Sequence, residues 1–456
     1  MNVETFEHPP AHAAPPSILS PRYRATTLAM VALVALNAFE VLAVATAMPT
    51  VARELSGLSL YALAFGGTLA TSLVGMTVAG RWSDRAGPAP VLWGGMACFV
   101  AGLLMSGVAG DMAVLVGGRL LQGLGAGAFF VALYVIVGRL YPEPLRPKVF
   151  AAFSAGWVVP SLVGPAISGL IVQHLGWRWV FLGVPLLAVP AAWLLRPGLR
   201  ELATLPRSVA ATPAGPSPVG WAIGAAAGAL LLHVAEQLPW PSRIGAWLLG
   251  GGALLLCAHR LLPAGTLALR RGLPSVIALR GIAAAAFFSC EAFLPLLLSR
   301  EHGYSPLAAG VALSVGALGW SAGSWYQGHR LQAHRRLRAM GIGASWLLAG
   351  IATVAGGVGG WPAWLAIAGW LLAGVGMGLL YPSLSVLMLS LSPAHLQGRN
   401  SSALQLSEAM AVTAALAATG AVFAGLLEAT PTRAYLAAFG LSAALAGAAW
   451  ATVRRV

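Results

Sequence analysis

The sequence predicts an all-α polytopic membrane protein, and three observations carry that expectation. Of 456 residues, 58% are hydrophobic and 9% charged, against about 25% charged in an ordinary soluble domain. Fifty-six glycines interrupt long Ala, Leu and Val runs, the mark of helices packed through small residues and not of the short alternating segments of a barrel. Apolar stretches long enough to cross a bilayer, about 20 residues each, recur at 25–52, 60–81, 89–109, 112–140, 149–173, 177–196, 218–238, 243–262, 273–299, 305–327, 337–357, 361–391, 402–427 and 432–452.

Fourteen spans put both termini on one side, and the charges say which. Of the 27 Lys and Arg, only Arg53, Arg178, Arg243, Arg300 and Arg433 fall in one set of alternate loops or at the span ends beside them, and only Arg119 and Arg280 lie inside spans away from their ends. The rest lie in the tails and the opposite loops, the positive-inside bias, so both termini are expected in the cytoplasm. The net charge of +14 is thereby assigned to anionic lipid headgroups and not to nucleic acid. Cys98, Cys257 and Cys290 lie far apart within apolar spans and read as small core residues, with no metal site and no disulfide framework.

Residues 1–24 read as a disordered cytoplasmic tail without a cleavable leader. Six spans over 25–196 form a first bundle, and the Pro- and Arg-rich stretch 197–217 is a linker. Eight spans follow. The loop Gly80-Arg81-Trp82-Ser83-Asp84-Arg85-Ala86-Gly87 has a weak echo in Gly323-Ser324-Trp325-Tyr326-Gln327-Gly328-His329-Arg330, which makes 305–327 the second helix of a second six-helix bundle over 273–456. The pair at 218–262 is then an inserted hairpin, with Glu236 at its outer interface. Repeated bundles of this kind are the architecture of alternating-access carriers, whose sites lie near mid-membrane.

Within the first span the ionisable residue is Glu40. A carboxylate deep in hydrocarbon costs roughly 2.5–3.5 kcal/mol on insertion scales, so it should face protein or a wet cavity and be functional. Burial favours the neutral form of a carboxylic acid, which lets such a group exchange a proton as access alternates. Arg119 keeps its charge and needs a carboxylate, carbonyls or water within reach; Gln122, three residues on, shares its helix face. Glu291 is a second candidate for proton or cation binding, and Glu408 a candidate for vestibule lining. Arg280 stands about 16 Å from Glu291 along one helix and cannot be its partner.

Four motifs together resemble the major facilitator superfamily, and the fourteen spans resemble its drug:proton antiporter branch. In the first span Glu40 precedes Pro49 by nine positions, where that branch usually has aspartate. Gly80, Asp84, Arg85 and Gly87 match the superfamily's loop between spans 2 and 3, although Pro88-Ala89-Pro90 replaces its basic pair. Arg119-Leu120-Leu121-Gln122-Gly123-Leu124-Gly125-Ala126-Gly127 is similar to its intramembrane arginine motif. Pro160-Ser161-Leu162-Val163-Gly164-Pro165-Ala166-Ile167-Ser168-Gly169, followed by Trp177-Arg178-Trp179-Val180-Phe181, looks like its antiporter motif.

The resemblance implies two six-helix bundles with an inserted hairpin, and proton-coupled efflux of hydrophobic, cationic compounds from a prokaryotic plasma membrane by a monomer without cofactors. Glu40, Arg119 and Glu291 are the expected proton-coupling residues, with Arg119 tuning release from the acid or else serving as a structural arginine. Phe39, Gln122, Trp157, Glu291 and Trp320 are expected to line the substrate site, since flat rings bind cations and apolar faces alike. Gly80, Asp84, Arg85 and Arg139 form an expected latch between bundles, Arg139 facing Asp84. Gly156, Pro160, Gly164 and Ser168 form a small-residue stripe, and Pro160 and Pro165 bend its helix. The alternatives are a metabolite symporter or lipid exporter on the same fold, and a membrane-embedded enzyme, for which no metal constellation or nucleophile-base pair is visible in any span.

Overall fold

The computed structural model describes residues 17–57, 60–204, 218–235, 238–239, 241–427 and 430–456. Most of the expected tail, the 205–217 part of the linker, and Glu236 lie outside the described residues.

Fifteen α-helices are described, and no strand occurs among the described residues. The first six are α1 (Arg24–Glu54), α2 (Tyr61–Ala86), α3 (Pro88–Gly107), α4 (Met112–Leu140), α5 (Arg146–His174) and α6 (Arg178–Trp193). They are followed by α7 (Arg196–Thr204), α8 (Val219–Ala235) and α9 (Ser242–Leu261). The last six are α10 (Leu273–Arg300), α11 (Pro306–His329), α12 (Arg336–Gly356), α13 (Ala363–Ser390), α14 (Gln397–Leu427) and α15 (Pro431–Val453). Nine described helices are long and apolar enough to cross a membrane, or eleven if each of two bent pairs is one span. α8, at 17 residues, is shorter.

Local chemistry sets the helix ends. Asp111 caps α4 by accepting the Val114 N–H at 2.8 Å, and Ser305 caps α11 by accepting that of Ala308 at 3.2 Å. Gly87, at φ +83°, breaks α2 and hands the chain to Pro88 at the start of α3.

α1 to α6 pack among themselves, as do α10 to α15, and the two groups meet where α2 lies on α14 and α5 on α11. Within each group one helix is bedded between two neighbours by glycine. On α4, a Cβ at Gly127 would stand 2.2 Å from the Ser72 carbonyl of α2, and one at Gly125 2.5 Å from the Gly95 carbonyl of α3. On α13, a Cβ at Gly378 would stand 2.2 Å from the Trp320 carbonyl of α11, and one at Gly376 2.5 Å from the Gly343 carbonyl of α12. Backbones this close leave no room for a side chain, which is how helices gain contact where lipid offers no hydrophobic drive.

The stripe expected on α5 faces α1, and Ser168 donates to the Ala43 carbonyl at 2.8 Å. Its glycines are looser than those of α4: a Cβ at Gly156 would come no nearer than 3.4 Å to any neighbour, and one at Gly164 no nearer than 3.7 Å. α5 turns by 48° between the halves that end at Gly164 and resume at Ala166.

The stretch read as linker begins as a helix. α7 carries Pro197 in its first turn, where the missing N–H costs nothing. Gly198 lies against Thr26 of α1, and Glu201 pairs with Arg22. α8 packs on α9, with Gly228 and Gly250 at the crossing, and on α2, where Gly66 meets His233.

Candidate functional site

Glu40 is the seventeenth residue of the 31-residue α1, so it sits at the helix midpoint, and it is 1% exposed. Its carboxylate Oε1 accepts from Nη1 of Arg119 on α4, itself 4% exposed. The same Nη1 donates to Oε1 of Gln122 at 2.7 Å, and Arg119 Nε donates to the Ala64 carbonyl of α2 at 3.2 Å. Three helices thus meet at one guanidinium. The approach is possible because α4 is sunk against α2, where a Cβ at Gly123 would stand 2.1 Å from the Thr68 carbonyl. Phe39, partly buried beside Glu40, has Gly164 of α5 next to its ring.

In the other half, Trp320 belongs to an aromatic cluster. Its ring lies 5.2 Å from that of Phe287, 6.2 Å from Phe288 and 4.6 Å from Tyr381, and Phe287 stacks on Trp370 at 4.3 Å. Glu291 stands one turn beyond Phe287 on α10 and is partly buried. Among the described residues there are three ion pairs, Arg22–Glu201, Arg119–Glu40 and Arg280–Glu408, and Glu291 is in none of them. Trp157 is 40% exposed on α5 and joins neither group among the described contacts.

Sequence reasoning flagged Arg280 and Glu408 separately and missed that they pair. Arg280 Nε donates to Glu408 Oε2 at 2.8 Å, Nη1 to Ser385 Oγ at 3.1 Å, and Nη2 to the Tyr134 hydroxyl of α4 at 3.3 Å. The guanidinium lies 3.2 Å over the Tyr381 ring. A charged residue inside an apolar run was the available signal; the 128 positions between the partners hid the pairing.

The two halves close on each other at the end where α1 begins and α15 ends. Asp84, in the last turn of α2 beyond its apolar stretch, accepts the backbone N–H groups of Gly398 at 2.7 Å and Arg399 at 2.9 Å. Burial raises the Asp84 carboxyl to about 6, opposed by those two hydrogen bonds and by the charges of Arg139 and His395. The expected partner Arg139 thus acts on Asp84 through its field, while the direct donors are the first N–H groups of α14. Gly80 allows this approach: a Cβ there would lie 2.7 Å from Ser402 Cβ. Arg85 is exposed. Nearby, Gly138 abuts Leu389 and Gln397, and Gly328 abuts Ala151 and Pro147. Further along, α14 is buried without a break from Asn400 to Ser407, and Glu408 after that run is partly exposed.

No group of three or more metal-ligating side chains occurs among the described residues. The arrangement offers two acid–guanidinium pairs, one in each half and each with a buried guanidinium, and an aromatic wall, which suit binding and charge exchange.

Comparison with known proteins agrees with this geometry. The sequence pattern of the Major Facilitator Superfamily matches residues 29–415. Over 138 residues the chain is 35% identical to the multidrug transporter protein MdtP of Bacillus subtilis, a match covering 30% of this chain and 26% of that protein, so the chain spans only about a quarter of that relative's length. It is 27% identical over 395 residues to a probable multidrug-efflux transporter of Mycobacterium tuberculosis, covering 80% of each. In fold it resembles the human organic anion transporter MFSD10, with a TM-score of 0.69 at 14% identity, covering 94% of this chain and 99% of that one. By sequence match over most of its length, and by an all-helical two-bundle fold, the chain belongs to the Major Facilitator Superfamily of transporters and is not an enzyme.

Proposed function

We propose that the protein is a proton-coupled antiporter that exports hydrophobic, cationic compounds across the prokaryotic plasma membrane, as a monomer of fourteen spans with both termini in the cytoplasm. The observation that carries the reading is the Glu40–Arg119–Gln122 contact at the midpoint of α1. Ionised Glu40 is held by Arg119. Protonated, it no longer offsets that charge, and the guanidinium turns to Gln122 and the Ala64 carbonyl. A proton therefore changes which helices are tied together, and that is the condition for coupling proton passage to conformation.

In this reading α8 and α9 are the inserted hairpin, and the end closed by Asp84 is cytoplasmic, so the chain faces outward. Phe39, Gln122, Trp157, Trp320 and Glu291 line the path of the compound: rings accept flat apolar cations, and Glu291 supplies negative charge. Gly80, Asp84, Arg85 and Arg139 hold the cytoplasmic gate, and Pro160, Gly164 and Pro165 let α5 flex. The relatives that are named multidrug transporters favour a drug-like cargo.

The test is ethidium transport by everted membrane vesicles with an imposed pH gradient. Wild-type vesicles are expected to move the dye only while the gradient persists, and Glu40→Gln vesicles with equal protein content to lose that movement. Normal gradient-driven transport by Glu40→Gln would remove Glu40 from the mechanism.

A further inference from the structure

Resting on that proton-coupled reading, we propose that Glu408 is a second proton-exchange group, so that two protons move per cation exported. Three observations converge on it. Glu408 is the first partly exposed residue of α14 after the buried run from Asn400 to Ser407, and its side chain is 26% exposed, which in the proposed outward-facing reading puts it on the floor of the open side. It is paired with a buried guanidinium, Arg280, whose side chain is 4% exposed, just as Glu40 is paired with Arg119. Arg280 in turn donates to Tyr134 across the boundary between the halves, so the pair holds the floor shut.

The chemistry follows from the contacts. A proton from water on the open side forms an O–H bond on Glu408; Arg280 remains a cation, and no other bond is made or broken. The groups facing this acid and its partner are Tyr134 from α4, Tyr381 and Ser385 from α13, and Arg280 from α10. None of them is a second carboxylate. With Glu408 neutral, the buried guanidinium has lost its counter-ion and must gain water or another acceptor. Water reaches it only if the floor parts, which breaks the contact to Tyr134. Among the described residues Glu40 has no comparable tie to the other half: its partner Arg119 lies on α4 and otherwise bonds to Gln122 of α4 and the Ala64 carbonyl of α2.

The count is read electrically. Exchange of one proton for one monovalent cation moves no net charge, whereas two protons for one cation carries one charge inward. The full-length protein is reconstituted in liposomes loaded with ethidium, with no pH gradient, and an inside-negative potassium diffusion potential is imposed. The wild type is expected to expel ethidium against the potential that would otherwise draw it in, while protein-free liposomes do not. Glu408→Gln is expected to lose this potential-driven expulsion yet still expel ethidium under a pH gradient, and Glu408→Asp to keep both.

A wild type driven by the pH gradient but indifferent to the potential overturns the second proton, whatever the variants do. Potential-driven expulsion retained by Glu408→Gln overturns it too. A wild type that responds to neither gradient overturns the proton-coupled reading itself, and this inference with it.

Discussion

The carboxylate of Asp84 holds the first backbone N–H groups of α14 at Gly398, 314 positions away in the chain. One acid thereby clasps the second half of the molecule to the first. The donors belong to backbone, so the clasp depends on where α14 begins and not on the identity of a distant side chain.

Its pH dependence follows from the raised carboxyl. Asp84 is ionised above about 6 and protonated below, so the clasp is strong at neutral pH and weakens as pH on that side falls through about 6. For folding the sign is opposite: a folded-state value above the unfolded one, about 4, means the cost of ionising this buried acid is absent below about 4 and fully present above about 6. Ser402, 4% exposed beneath Gly80, can report on it as Ser402→Cys. Maleimide labelling, normalised to an exposed cysteine, is expected to speed up below pH 6 and to be fast at every pH with Asp84→Ala.

Removing Arg119 strands Glu40. Arg119→Leu is expected to cost about 3–5 kcal/mol through the uncompensated buried carboxylate, read as a lowered melting temperature of the detergent-solubilised protein. Glu40→Gln in the same chain should restore most of it. An additive double variant would mean that the two residues do not share one energy term.

Glycine at 127 is a packing requirement. Gly127→Ala sets a methyl 2.2 Å from a backbone oxygen and is expected to destabilise by about 1–3 kcal/mol. A Cβ at Gly110 meets nothing within 4 Å, so Gly110→Ala should melt with the wild type.

Gln327 occupies the place in the weak internal repeat that Asp84 holds in the first half. It is 1% exposed, and neither end of its amide has a partner among the described residues. An apolar residue of similar shape avoids that penalty, about 1–3 kcal/mol. Gln327→Met is therefore expected to raise the melting temperature. If it also slows transport, the amide finds its partner in the other conformation.

The membrane class, the helix order and the two half-site residues Glu40 and Arg119 were legible because a charge inside an apolar run stands out at the scale of one span. Gln122 followed from helical spacing. What joined Arg280 to Glu408 was not legible, since helical arithmetic speaks only to neighbours on one helix and could do no more than exclude Glu291. Pro197 misled in a different way: it reads as a breaker, yet at the first turn of α7 it costs no hydrogen bond. The tight glycines were sought on α5 and lie on α4 and α13, because small residues alone do not say which face meets a neighbour.

The bedding of α4 and α13 has a mechanical consequence. Where carbonyl abuts glycine on both flanks, no rotamer can yield, and a shove delivered at one rim is transmitted undiminished to the other. Each half then moves as a stiff lever, and the compliance needed for a transport cycle has to reside in the seam between them.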